Sequence, residues 1–192
     1  MKKILIGTHN QGKFKEIGTL ISKNFKKISP LDLKLKSPKE TGKTFNANSR
    51  LKVKYFGKFV NYPVISDDSG ICIQALSNKP GVYTARFAIN HGGFFRAMQF
   101  ILKKMMKKKN RSAKFICSLS YMNSNKRITT ANGIIHGKIS KKILGKKGFG
   151  FDPIFIPNSY KKTFGEMSKS RKMKIDHRFL AFRKLKKKIK TL

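Results

Sequence analysis

Tyr62-Pro63-Val64-Ile65-Ser66-Asp67-Asp68-Ser69-Gly70 decides how the rest of the chain is read. The apolar run Tyr62 to Ile65 reads as a buried strand, and Ser66 to Gly70 as the turn that ends it. Two adjacent carboxylates, a hydroxyl and a glycine are poor core material but good ligands for a divalent cation. An oxygen-only set suits Mg²⁺, which usually takes one or two carboxylates and fills its shell with substrate phosphates and water. The same residues also suit an Asx-type turn, with Asp and Ser bonding nearby amides. Scarcity weighs toward the cation: the chain has 8 acidic residues against 45 Lys and Arg, and two of the eight are neighbours here. Adjacent carboxylates repel, so positive charge is expected close by.

The 192 residues suffice for one domain, or one domain of two lobes, with a real core. A 39% hydrophobic content with 16 Phe points to a globular chain despite a mean hydropathy of −0.42. Ile4-Leu5-Ile6 is too short for the apolar part of a leader, and no apolar run approaches the ~18 residues that span a bilayer. Cys72 and Cys117 have no metal-type spacing and make no disulfide framework, which fits a reducing cytoplasm. The net charge of +37 invites a nucleic-acid reading, since Lys and Arg displace counterions from phosphates. Lysines run from Lys2 to Lys188 without concentrating in one arm, which fits a compositional bias on solvated faces. Nucleic-acid binding is therefore expected only as an incident of charge.

In chain order, Lys3 to Gly7 reads as a strand, followed by Thr8-His9-Asn10-Gln11-Gly12-Lys13 and a helix with Phe14, Ile17, Leu20 and Ile21 on one face. Gly7 to Lys13 fits G-x-x-x-x-G-K, but Phe14 stands where a P-loop needs Ser or Thr for Mg²⁺. A strand feeding a helix N-terminus still offers amides to an anion, and equally fits a capped start with a surface lysine. Ile28 to Leu35 reads as a strand and Ser37 to Lys43 as a loop. A helix is expected from Thr44 or Phe45 to Phe59, placing Asn48 and Lys52 on one face. Pro80 to Phe87 reads as a loop, Gly93 to Lys108 as a helix, and Ala113–Met122 with Ile128–Ile139 as a hairpin. Gly148-Phe149-Gly150-Phe151-Asp152-Pro153 is a glycine loop whose aromatics either stack on a nucleobase or pack inward. Asp176 caps a helix expected from His177 to Lys190, with His177 and Arg178 in its first turn, where an anion would suit them better than the dipole does.

Together these pieces resemble the inosine triphosphate pyrophosphatase family. The carriers are Thr8, Asn10, Lys13 and Glu16; then Glu40-Thr41-Gly42 with Thr44 and Phe45; then Asn48 and Lys52. Asp67 to Gly70, Pro80 to Phe87, Gly148 to Pro153, the Thr163-Phe164 and Glu166-Met167 pairs, Lys172, His177 and Arg178 complete the series. The match is collinear from first strand to last helix. Ala47 stands where the family usually has Glu, and Asp176 where it usually has Ser; Thr84 and Phe87 are milder departures.

The resemblance implies a single domain over residues 1–192, an α/β fold of two lobes around a long mixed sheet flanked by helices, with the active site in the cleft between lobes. It implies a homodimer that hydrolyses ITP, dITP and XTP to monophosphate and pyrophosphate with Mg²⁺. By the same resemblance Asp68 binds metal and acts as general base, and Asp67 and Glu40 support the metal. Lys13, Lys52 and Arg178 hold phosphates, and Thr8, His9, Asn10, Gln11 and Gly12 form the phosphate loop with Lys13. Ser69 and Arg86 contact substrate, Phe149 stacks on the base within Gly150, Phe151 and their loop, and Asp152, Lys172 and His177 read the base edge. The rivals are a degenerate P-loop nucleotide-binding protein, against which Phe14 counts, and a basic nucleic-acid-binding protein without catalysis.

Overall fold

The computed structural model describes residues 1–189, so the expected helix end at Lys190 lies outside the described residues. Seven strands form one mixed sheet in the order β2-β1-β3-β5-β6-β7, with β4 paired to β3 beside that path. They are β1 (Lys2–Ile6), β2 (Phe25–Ile28), β3 (Val64–Ile73), β4 (Lys79–Pro80), β5 (Ser112–Met122), β6 (Ile128–Ile139) and β7 (Phe155–Pro157). Pairing is parallel for β1 with β2 and β3, and antiparallel for β3 with β4 and β6 with β7. The helices are α1 (Gln11–Leu20), α2 (Phe45–Phe56), α3 (Thr84–Asn90), α4 (Phe94–Lys104), α5 (Lys169–Lys172) and α6 (His177–Lys188). The expected α/β class with a mixed sheet flanked by helices is what the chain adopts.

The chain divides into two compact units, which exchange the polypeptide after Asp68, Ile116, Gly133 and Asp176. In the first unit, β1 alternates its faces as a strand must. Ile4 and Ile6 join Ile17, Leu119, Phe182 and Leu185 in one apolar cluster. Leu5 joins Val53, Phe56, Val64 and Met122 in another. Two glycines set close approaches in this unit. A Cβ on Gly7 would lie 2.2 Å from Ser66 Oγ, so the turn leaving β1 runs against β3 beside the carboxylates. A Cβ on Gly133 would lie 2.0 Å from the His177 carbonyl oxygen, so β6 runs against the first turn of α6. In the second unit, Ile71, Ile73, Ile101, Phe115, Phe155 and Phe164 belong to one core of aliphatic and ring contacts.

Three expected elements are corrected. Ser66 to Gly70 is not a turn: β3 continues unbroken from Val64 to Ile73, with Ser66 and Asp67 wholly buried and Asp68 4% exposed. The carboxylates are tolerated in an extended, buried strand because cations from elsewhere in the chain neutralise them. The strand of Ile28 to Leu35 is instead the four-residue β2, which ends at Ile28. There Ser29 and Asp32 exchange side chain-to-amide hydrogen bonds at 2.8 and 3.2 Å, and the Leu35 amide returns to the Pro30 carbonyl, closing a turn. Pro80 to Phe87 is not a loop throughout, since α3 begins at Thr84. Thr84 Oγ1 donates to the Gly81 carbonyl and accepts from the Ile71 amide, which fixes that helix start to β3.

Candidate active site

In the first unit the chemistry gathers at the end of β3 that follows Ile65. Asp68 is nine-tenths or more buried, and its Oδ2 accepts from Asn48 Nδ2 at 2.9 Å. Asn48 is oriented in turn, because its Oδ1 accepts from the Gly42 amide at 2.8 Å, which leaves only the NH₂ side to face the carboxylate. Helical spacing sets Lys52 one turn beyond Asn48 on the buried face of α2. Lys52 Nζ pairs with Glu40 Oε1 at 2.7 Å. Burial alone would push the Lys52 ammonium down, but Asp67, Glu40 and Asp68 more than offset that and hold it above the ordinary lysine value. Asp68 moves the other way for an acid: desolvation raises its carboxyl, and Lys52 and Lys13 only partly oppose this.

Asp67 sits among cations. Its Oδ2 lies 3.2 Å from Lys13 Nζ and 3.5 Å from Arg178 Nε. Arg178 also donates from Nη1 to Glu16 Oε2 at 2.9 Å, so it bridges β3 and α1 from the first turn of α6. Arg178, expected to hold phosphate, is 4% exposed and engaged by two carboxylates, so in this arrangement it brackets Asp67 and α1. Of the carboxylates expected at the metal, Asp67 and Asp68 are neighbours on β3 and Glu40 pairs with Lys52; among the described residues no three His, Cys, Asp or Glu converge as a ready-made cluster. Glu40 is engaged by Lys52 and Asp67 by Lys13 and Arg178, while Asp68 accepts from the neutral Asn48 amide and feels the charges of Lys52 and Lys13. That donor chemistry fits a hard cation shared with substrate oxygens rather than an all-protein cage.

The loop into α1 is partly used internally. Asn10 is the N-cap, its Oδ1 accepting from the Lys13 amide at 3.0 Å, and its own amide goes to Thr8 Oγ1 at 3.2 Å. Thr8 and Asn10 therefore build the loop, and the Lys13 amide is not one of the donors expected for an anion. Gln11 and Gly12, at the first two helical positions, have no intrahelical acceptor for their amides. His9 is tied through Nε2 to the Leu35 carbonyl at 2.9 Å, which places its proton on Nε2. Its buried Nδ1 has no hydrogen-bond partner among the described residues. His177, 2% exposed, opens α6 beside Arg178.

In the second unit, Asp152 organises the glycine loop. Its Oδ2 accepts from the Phe149 amide at 2.9 Å and from Lys172 Nζ at 2.6 Å. Lys172 Nζ lies 5.0 Å from the Phe149 ring centroid and 5.5 Å from that of Phe164, so its charge is held by one carboxylate and two aromatic faces. Gly148, at φ +74°, has no room for a Cβ, which would lie 2.1 Å from Asp152 Oδ2. Phe149 is half-buried beside Gly150. Phe151, expected beside the substrate, instead turns its ring into the core, 1% exposed and edge-on to Phe94 at 5.3 Å. Arg86 is exposed, its guanidinium 5.4 Å from the Tyr83 ring centroid, and Ser69 is half-buried next to Asp68 in the chain.

Two residues to which the sequence assigns no role prove central: Asn48, which orients Asp68, and Glu16, which holds Arg178. Both belong to the family motifs, and both are polar positions on otherwise buried helix faces; that is the available signal.

A family model described as the Ham1 family matches residues 4–188. A dITP/XTP pyrophosphatase of Dictyoglomus thermophilum is 40% identical over 190 residues, covering 95% of this chain and 92% of that protein. One from Oceanobacillus iheyensis is 39% identical and covers both chains completely. Among solved structures, the Ham1 protein of Staphylococcus aureus superposes with a TM-score of 0.87 at 32% identity, covering 98% of each chain. A HAM1 protein from Coxiella burnetii gives 0.86 at 30% identity over both chains in full. The resemblance carried by the motifs is thereby borne out, and the chain belongs to the Ham1 family.

Proposed function

We propose that this chain is a nucleoside-triphosphate pyrophosphohydrolase that clears the non-standard purine nucleotides ITP, dITP and XTP. Water adds to the α-phosphorus, the α–β anhydride bond breaks, and monophosphate, pyrophosphate and a proton are released. The observation that carries this reading is the buried Asp68 carboxylate, oriented by Asn48 and set among Lys13, Lys52 and Asp67. The relatives' names supply the substrate class.

Asp68 takes the proton of the attacking water. Desolvation lifts its carboxyl above the usual aspartate range, which moves it toward the basicity a general base needs. Lys52 stays charged beside it and neutralises negative charge building on the phosphates, as Lys13 does from α1. Mg²⁺, held by Asp68 together with phosphate oxygens, would add charge neutralisation at the reacting phosphate. The Gln11 and Gly12 amides meet a phosphate at the positive end of α1. We assign the base to Phe149 for stacking, with Lys172, Asp152 and His177 for its edge. A site donating hydrogen bonds to a 6-oxo group leaves those donors unpaired against adenine's amino group, a penalty large enough to exclude ATP. The same reading places the enzyme in the cytoplasm as a homodimer, which light scattering of the purified protein would test.

The decisive assay is pyrophosphate release with Mg²⁺ from ITP, XTP, ATP and a pyrimidine triphosphate. ITP and XTP should exceed ATP by at least tenfold, and Asp68→Asn should lower turnover by orders of magnitude with folding intact. Orthophosphate as first product would return the P-loop rival. Near-normal ITP hydrolysis by Asp68→Asn would remove the base assignment.

A further inference from the structure

The acidic residues are few, and the fold uses every one of them. Those of the first unit's cluster face Lys13, Lys52, Arg178 or Asn48; Asp152 faces Lys172; Glu166 accepts from Thr163; Asp176 is 1% exposed. Asp32 alone among the acids is exposed, and its carboxylate closes the turn with Ser29. No Asp or Glu occurs between Asp68 and Asp152, so the surface contributed by that span carries cations without counter-charge. A lysine-rich composition scattered over solvated faces does not by itself choose a location, but the fold does. Lys103, Lys107, Lys108, Lys109, Arg111 and Lys141 line one concavity of about 690 Å³ after α4.

That concavity has a built floor. Arg111 donates from Nε to the Ile139 carbonyl at 2.7 Å and from Nη1 to the Met105 carbonyl at 2.9 Å, joining the end of α4 to the end of β6. Its partners are carbonyls, so its full charge stays in the floor. The five lysines around it are exposed, and among the described residues none of the six cations forms an ion pair. Like charges gathered in one depression repel each other and are relieved only by an anion. Lysines act as point charges toward phosphate without reading bases. A concave basin admits a strand, whereas a flat bilayer surface presents its headgroups only to the rim.

We propose that this concavity is a binding site for the phosphate backbone of single-stranded nucleic acid, sequence-independent and distinct from the nucleotide-hydrolysing cluster. The test is fluorescence anisotropy of a labelled mixed-sequence RNA with the full-length protein between about 50 and 200 mM salt, the range over which phosphate binding weakens most steeply. The first variant carries Lys→Gln at 103, 107, 108, 109 and 141. A charge-matched control carries Lys→Gln at 23, 26, 58, 184 and 186, all exposed positions. For the first variant the slope of log affinity against log salt should fall by up to about 3.5, at about 0.7 for each phosphate no longer neutralised. At 150 mM salt its affinity should fall at least tenfold, against less than threefold for the control. A triple variant at 107, 108 and 109 should show an intermediate slope, and ITP hydrolysis should stay unchanged in all three as a check of folding. Equal losses in the first variant and the control would reduce the effect to net charge and overturn the proposal. Absence of RNA binding by the parent protein at 150 mM salt would do the same. So would loss of binding to phosphatidylserine vesicles with RNA binding retained.

Discussion

Asn48 holds Asp68 from one side and the Gly42 amide from the other, at 2.9 and 2.8 Å, so one side-chain amide fixes a carboxylate and the loop behind Glu40 together. A hydrogen bond to a charged group is worth about 1.5–3 kcal/mol, equivalent to ~10–100-fold in rate if it serves the reaction. Asn48→Ala is therefore expected to lower kcat for ITP by that factor. Asn48→Asp should be worse, since it sets a second carboxylate against Asp68. Steady-state pyrophosphate release measures both, and an Asn48→Ala enzyme within twofold of the parent would show that Asp68 needs no such guide.

The raised Asp68 carboxyl also makes a stability prediction for metal-free protein. The folded state holds this proton more tightly than the unfolded chain, so stability falls as pH rises from the ordinary aspartate value of 3.8 through the raised one. At neutral pH the ionised group is then a net cost. Asp68→Asn removes it and can still present its amide oxygen to Asn48. The variant should melt higher at pH 7; a gain of order 1 kcal/mol would correspond to about 2–4 °C for a chain of this size. Below the ordinary aspartate value, where Asp68 is neutral folded or unfolded, the difference should vanish. Thermal melts of both proteins in chelator across pH would check the sign, and a variant that melts lower at neutral pH contradicts it.

The strands β1, β5 and β6 were legible because alternation and short apolar runs are local properties, and the Asn123-to-Arg127 hairpin carries its own turn chemistry. The extension of β3 through Ser66 to Gly70 was not, since polar and small residues in a row look like a turn. What keeps that segment straight is charge supplied by Lys13 and Arg178, far away in sequence. The motifs named the residues around the site, yet not what they do to one another. Asn48 meets Asp68 across 20 positions and Arg178 meets Glu16 across 162, distances over which periodicity carries no signal. Phe149 and Phe151 illustrate the same boundary: two rings flanked by glycines, of which only packing against Phe94 reveals which one belongs to the core.

Lys172 and Asp152 are 4% and 3% exposed at their side chains and 2.6 Å apart. Removing one partner of a buried pair strands the other charge, which typically costs about 3–5 kcal/mol, whereas neutralising both costs much less. Lys172→Met should thus be markedly destabilised, and Lys172→Met with Asp152→Asn should recover a large part of the loss in urea melts. Asn at 152 retains an acceptor for the Phe149 amide, so the loop survives in the double variant. Its KM for ITP should nevertheless stay raised, because Lys172 is assigned to the base. A double variant no more stable than Lys172→Met would mean that the pair is not the unit holding this loop.

Gly133 tests whether the first turn of α6 must sit where it does. Its φ is not in the left-handed region, so alanine brings no backbone strain of its own, only a methyl group. That methyl would lie 2.0 Å from the His177 carbonyl oxygen and 2.3 Å from the Ala181 amide nitrogen, both backbone atoms that no rotamer change can move. The helix start must shift, carrying Arg178 away from Asp67 and Glu16, with which it now pairs at 3.5 and 2.9 Å. Overpacking of this kind costs about 1–3 kcal/mol. Gly133→Ala should therefore lower Tm by several degrees and kcat for ITP by at least tenfold, although residue 133 touches no substrate. Arg178→Met should reproduce the kinetic loss, because both changes release Asp67 from the same bracket. If Gly133→Ala melts lower but turns over ITP at the parent rate, the bracket serves folding alone and Asp67 needs no help from α6.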